Sequence, residues 1–219
     1  MTDLAPHGIV TALHIGTSGW SYPSWRGGFY PADAKPDGFL RFYAERFDTV
    51  ELNTTGYRLP AEEQFGRWGE QTPAGFTFAP KLPLRRLDGV GTFVERVSQL
   101  GARLGPIRVQ VQQPRDEGLL TLLLGSIDPA IQVALDFRDP SWEGVELPRE
   151  AAVVNDLERD AAFRYVRLRE PPYSDADLRD LAARLRGGPE SWVYFRHEDE
   201  PTAPAYAARL KELVSHRGT

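Results

Sequence analysis

Short strand-like segments alternate with amphipathic helical ones along this chain at intervals of roughly 25 residues, which limits the fold more than any other feature. The strand-like segments are 13–18, 49–54, 75–81, 107–112, 131–138, 152–156, 163–168 and 192–197. Helical stripes lie between them. Leu40, Tyr43, Ala44 and Phe47 share one face, and Phe93, Val97, Leu100 and Leu104 share another. Leu178, Leu181, Ala182 and Leu185 form a third stripe, with Ser174 and Asp177 at capping-box spacing before it and Gly187 as a stop after it. A last helix is expected after Thr202 as N-cap, burying Ala207, Leu210 and Val214.

Alternating β and α units imply a parallel sheet covered by helices, either open or closed into a barrel. The strands themselves separate the two. Val50 and Leu52 alternate with Glu51 and Asn53; Ile107, Val109 and Val111 with Arg108, Gln110 and Gln112; Val133, Leu135 and Phe137 with Ala134, Asp136 and Arg138. An open parallel sheet is apolar on both faces and reads as continuous apolar runs. A barrel has an outer face against helices and an inner face that turns polar where it meets a site. A single-domain α/β chain of the (β/α)8, TIM-barrel-like class is therefore expected, with an unusually polar interior. The span 139–151 carries Pro140, Pro148 and Gly144 and no helical stripe, so the fifth crossover helix should be missing or reduced. The chain's 219 residues also fall short of the ~250 typical of such barrels.

Composition removes several chemistries. The chain has no cysteine, which excludes disulfides, thiolate nucleophiles and Cys-ligated metals. A net charge of −5 disfavours nucleic acid as a partner. The amino terminus lacks a basic, then apolar leader, and no apolar run is long enough to span a bilayer, so a cytoplasmic protein is expected. No nucleophile elbow, dinucleotide fingerprint or Walker lysine is present. His14, Asp156, His197, Glu198 and Asp199 match no metal-ligand spacing, and neither metal nor cofactor is expected.

In a barrel the carboxyl ends of the strands carry the site. That rule selects Glu51, Asn53, Lys81, Gln112, Asp136, Arg138, Asn155 or Asp156, Arg167 and His197. Lys81 is the most informative of them. Only three of the 26 basic residues are lysines, so an ammonium at a strand end stands out as a base, nucleophile or point charge. Glu51 and Asp136 are candidates for acid/base catalysis beside it. The alternative is that both carboxylates are simply paired with Arg108, Arg138 or Arg167 inside the barrel. Arg138 and Arg167 suit a carboxylate or phosphate. Asn53 and Gln112 could orient such a ligand, with Trp20, Tyr57 and Trp142 as pocket walls.

The segments Gly16-Thr17-Ser18-Gly19-Trp20-Ser21-Tyr22, Gly28-Phe29-Tyr30-Pro31, Thr49-Val50-Glu51-Leu52-Asn53-Thr54-Thr55 and Gly75-Phe76-Thr77-Phe78-Ala79-Pro80-Lys81 resemble the YecE-like family, a domain of unknown function. Phe137-Arg138, Pro140-Ser141-Trp142 and Tyr165-Val166-Arg167-Leu168 extend the resemblance along the chain. It implies a TIM-barrel-like fold and no defined reaction. The chain departs from the family pattern at Asp136, where Glu is usual, at Asp139, where His is usual, and at Arg169-Glu170, where His-Gly is common.

Two functions remain open at this level. One is acid/base catalysis through Lys81, Glu51 and Asp136 on a small phosphorylated, carboxylated or sugar-like molecule. The other is a ligand-binding or protein-interaction module without turnover. In that module an apolar patch left by the missing helix would favour self-association.

Overall fold

In a computed structural model, residues 12–56, 59–84, 87–197 and 200–215 are described. Eight parallel strands run in the order expected: β1 (Leu13–Ser18), β2 (Thr49–Leu52), β3 (Thr77–Leu84), β4 (Ile107–Val111), β5 (Val133–Phe137), β6 (Ala151–Val153), β7 (Phe163–Leu168) and β8 (Glu190–Arg196). They form one sheet in the order β6-β5-β4-β3-β2-β1-β8-β7, a nearly closed (β/α)8 barrel. The helices are α1 (Phe39–Ala44), α2 (Glu62–Gln71), α3 (Val90–Ser98), α4 (Glu117–Gly125), α5 (Asp175–Leu185) and α6 (Thr202–Ser215).

The outer faces of the strands pack on the helices through Ile15, Val50, Leu52, Phe78, Val109, Leu135 and Val193. The stripes read from the sequence bury as expected at Leu40, Tyr43, Phe93, Val97, Leu178 and Leu210. Ser174 closes a full capping box with Asp177, and Gly187 ends α5 with a positive φ of 68°. Two helices had no legible stripe. α2 buries only Phe65 and Trp68, and the crowded leucines of α4 point to several sides. Thr202 is the first residue of α6 rather than its cap.

The fifth crossover is reduced to one 3-10 turn, Pro140–Trp142, and the sixth, 154–162, has no helix either. One missing helix was expected and two are missing. Trp142 replaces the first of them. It stacks on Phe137 at 4.5 Å and 17°, and its indole N–H donates to the carbonyl of Gln113 at 2.8 Å. It is only 3 % exposed, so it covers part of the face that the missing helix would have covered. Among the described residues Leu122 of α4 is the one exposed large hydrophobic.

The barrel interior is asymmetric. Ala79, Ala134 and Ala152 on β3, β5 and β6 face Phe163, Tyr165, Trp192 and Tyr194 on β7 and β8. Alanines on one wall leave room for the aromatics from the other, as close packing requires. The Tyr194 hydroxyl thereby reaches Thr49 on β2 at 2.7 Å.

Asn155 closes the seam between β6 and β7 at its carboxyl end. Asn155 leaves the extended conformation with φ of +69°, the one non-glycine with positive φ among the described residues. Its N–H donates to Tyr165 at 2.9 Å. Its side-chain amide accepts from the N–H of Arg167 at 2.6 Å and donates to the carbonyl of Arg167 at 3.1 Å. The side chain thus stands in for a peptide group of the missing ladder. Asparagine combines this pairing with tolerance of the left-handed region. Asn155→Ala should lose both bonds and pay for the positive φ, lowering stability by about 2–3 kcal/mol in urea denaturation. Asn155→Gly should lose only the bonds. Equal stability of all three proteins would contradict this closure.

Candidate functional site

At the carboxyl ends of the strands, alternation points Ser18, Glu51, Lys81, Arg108, Asp136 and Arg167 toward the barrel axis. Strand register aligns Ser18 with Glu51 and Lys81 with Arg108. Glu51 is fully buried. Its carboxylate lies 2.8 Å from Arg108 Nε and 2.9 Å from Arg167 Nε. It also accepts from the Ser18 hydroxyl at 3.0 Å and, across the barrel, from the Tyr165 hydroxyl at 2.8 Å. Burial pushes this carboxyl up, but the charges of Arg108 and Arg167 outweigh it and hold the pKa down at about 2. A carboxylate so held is a poor proton acceptor near neutrality, so the catalytic acid/base role expected of Glu51 does not follow from its surroundings.

Asp136 gathers three guanidiniums. Arg108 Nη1 lies at 2.6 Å, and Arg138 and Arg169 each bring an Nη2 to 2.9 Å. Asn53 links the two carboxylate centres. Its side-chain N–H₂ donates to the Ser18 hydroxyl, and its oxygen accepts from Arg108 Nη2 at 3.2 Å. Arg108, 1 % exposed, is therefore shared by Glu51, Asp136 and Asn53.

Lys81 follows Ala79 on the inward phase of β3, half-buried, with its backbone N–H donating to the Thr55 hydroxyl at 3.0 Å. Burial, then the charge of Arg108, pulls its ammonium below the ordinary lysine value; Arg167 adds to this, while Glu51 and Asp136 oppose it. The linked network holds four guanidiniums against two carboxylates, and Lys81 adds a fifth cation within its field. Among the described residues this network holds more cations than carboxylates, in a protein of net charge −5.

Most of the residues expected at the site do meet there: Glu51, Asn53, Lys81, Asp136, Arg138 and Arg167. Trp20 stands beside them as one wall of a pocket. Gln112 lies past the end of β4, exposed at the rim. Trp142 is a correction, because Phe137 faces outward and Trp142 packs on it, away from the mouth. Tyr57 lies outside the described residues, as do Glu198 and Asp199. His14 pairs in register with Trp192 near the start of β8, whereas His197 follows its end, so the two histidines sit at opposite ends of the barrel. Ser18, Tyr165 and Arg169 were not anticipated as site residues, and Arg108 only as an ion-pair partner. All lie on the inward phase of β1, β7 or β4, and that alternation was the signal available for each.

A roomier pocket of about 480 Å³ lies at the other end of the barrel, lined by His14, Thr77, Gln132, Glu190 and Trp192. There His14 stacks on Trp192 at 3.8 Å and bridges Asp48 at 3.4 Å and Glu190 at 3.1 Å. Burial opposes its charge, yet the two carboxylates raise its pKa. The amino-terminal face of such barrels serves stability, and volume alone does not move the candidate site there.

A family model described as a protein of unknown function, DUF72, matches residues 14–219. The chain belongs to this family. It is 34% identical over 143 residues to the UPF0759 protein YecE of Escherichia coli K12, a stretch covering 59% of this chain and 50% of that protein. The chain thus spans about half the length of the curated relatives it matches. Among solved structures, a DUF72 protein from Thermotoga maritima superposes with a TM-score of 0.77 at 23% identity, covering 94% of this chain and 100% of that one. A DUF72 protein from Enterococcus faecalis V583 gives 0.71 at 14%, covering 94% and 99%. These likenesses establish the barrel.

Glu51→Gln would leave Arg108 and Arg167 facing a neutral amide inside the barrel. Removing one partner of a buried pair costs about 3–5 kcal/mol. Equilibrium urea denaturation should register a loss in that range; a loss below about 1 kcal/mol would show that the carboxylate does not hold the mouth together.

Proposed function

We propose that the mouth of this barrel binds a small anionic molecule, phosphorylated or carboxylated, on Lys81, Arg138, Arg167 and Arg169. The observation that carries this reading is the surplus of cations around Glu51 and Asp136. Two carboxylates do not neutralise the four guanidiniums paired with them, and a low-dielectric cleft magnifies the remainder. Arg138 and Arg169 each use an η nitrogen on Asp136, which sets their planes while the rest of each fork can meet a ligand. Asn53 and Gln112 orient the bound molecule in this reading.

Any chemistry would centre on Lys81. An ammonium with a lowered pKa beside an anion site is suited to proton transfer or to attack on a carbonyl. Glu51 and Asp136 then act as the counter-ions that position the arginines. The second reading, binding without turnover, is favoured by one observation: Glu51 is saturated by four donors.

A thermal-shift screen of phosphorylated and carboxylated metabolites tests the anion site. At ten times Kd a ligand adds about 1.4 kcal/mol, a rise of about 3–6 °C for a domain of this size. At least one compound should give that rise with the wild type and much less with Lys81→Met. Identical responses of the two proteins to every compound would rule the reading out. Incubating each hit with the wild type and assaying for product separates catalysis from binding.

A further inference from the structure

A second compartment of different chemistry adjoins the mouth. It is a pocket of about 230 Å³ walled by Trp20, Tyr22, Leu52 and Trp68, with Glu51 and Asn53 along one side. An apolar cavity of ~150 Å³ already accepts benzene, whereas drug-sized ligands occupy roughly 300–1,000 Å³. The size therefore suits one ring. The walls are held in place before any ligand arrives. Trp20 meets Trp68 edge-on at 5.4 Å and Phe78 at 6.3 Å. The Tyr22 hydroxyl donates to the Ser18 carbonyl at 2.8 Å while its ring stacks on His197 at 4.3 Å.

Of the polar residues lining the pocket, buried Glu51 and half-buried Asn53 are already committed, while Ser21 and Thr54 stand exposed at its edge. Glu51 accepts from Ser18 and Tyr165 and pairs with Arg108 and Arg167, and both arms of the Asn53 amide are engaged by Ser18 and Arg108. A ring carrying many hydroxyls would trade water for few partners here, which is costly. A flat apolar ring gives up nothing of the kind and gains contact with the indoles.

Glu51 and Asn53 also tie this pocket to the cations. Asn53 lies 3.2 Å from Arg108, and Glu51 2.9 Å from Arg167. We infer that one ligand fills both compartments: a single aromatic or unsaturated ring bearing a phosphate or carboxylate, the ring against Trp20 and the anion on the arginines. This rests on the anion-binding mouth proposed above and adds the ring to it.

Calorimetric titration of the wild-type protein with matched pairs of probes tests the inference. The pairs are inorganic phosphate against phenyl phosphate, and acetate against benzoate. In at least one pair the ring-bearing anion should bind tenfold tighter or better. Trp20→Ala should erase that advantage while leaving the affinity for the plain anion unchanged. If inorganic phosphate or acetate binds and its ring-bearing partner binds no better, the ring pocket is refuted and the anion mouth stands. If none of the four probes binds, the anion mouth fails as well. Because the wild-type comparison decides the matter by itself, a Trp20→Ala protein that does not fold leaves the test intact.

Discussion

The pairing of Glu51 with Arg108 and Arg167 is the constraint on which the carboxyl end of this barrel depends. Three strands, β2, β4 and β7, send one carboxylate and two guanidiniums to the same dry point. Taking such charges out of water costs several kcal/mol each, so they persist only where geometry and further hydrogen bonds are complete. Ser18, Asn53 and Tyr165 supply those bonds. Arg108 then carries the order outward to Asp136, and Asp136 fixes Arg138 and Arg169. Breaking the pair at its centre releases the whole chain of contacts.

The interior packing makes that pairing geometrically possible. Tyr165 can cross from β7 to Glu51 because the wall opposite the aromatics is built from alanines. The same economy shows on the outside, where Trp142 covers β5 in place of a crossover helix. At the thin seam the Asn155 amide supplies pairing to Arg167, which binds Glu51 with its side chain. Closure of the barrel and construction of the mouth therefore meet in one residue, Arg167.

Much of this was legible in the sequence, for a definite reason. Side chains alternate strictly along a strand, so Glu51 with Asn53, and Asp136 with Arg138, declare an inward polar face without any structure. The same rule carried through β7 would have added Tyr165 and Arg169. The sequence could not show that Glu51 is spent on neighbours, because that depends on which strands lie opposite one another. Trp142 was misread for a related reason: an aromatic after a strand end looks like a pocket wall until Phe137 beneath it fixes which side it covers. The absence of a sixth crossover helix was equally hidden, since a short loop and a fraying helix differ little in composition. α4 escaped notice because its leucines surround the helix instead of lining one face.

Two roles for the buried carboxylate lead to opposite expectations. A proton shuttle must titrate near the working pH, whereas a fixed counter-ion must stay charged far below it. For a group depressed in the folded state, stability is full above the unfolded value near 4.5 and is lost as pH falls toward about 2. The direct measurement is a carbon-13 NMR titration of the side-chain carboxyl of Glu51, from pH 8 down to the onset of acid unfolding. A carboxyl resonance that stays in its ionised position to below about pH 3 is the result expected of a counter-ion holding Arg108 and Arg167. Titration between about pH 5 and 7 would contradict that role and return Glu51 to acid/base chemistry.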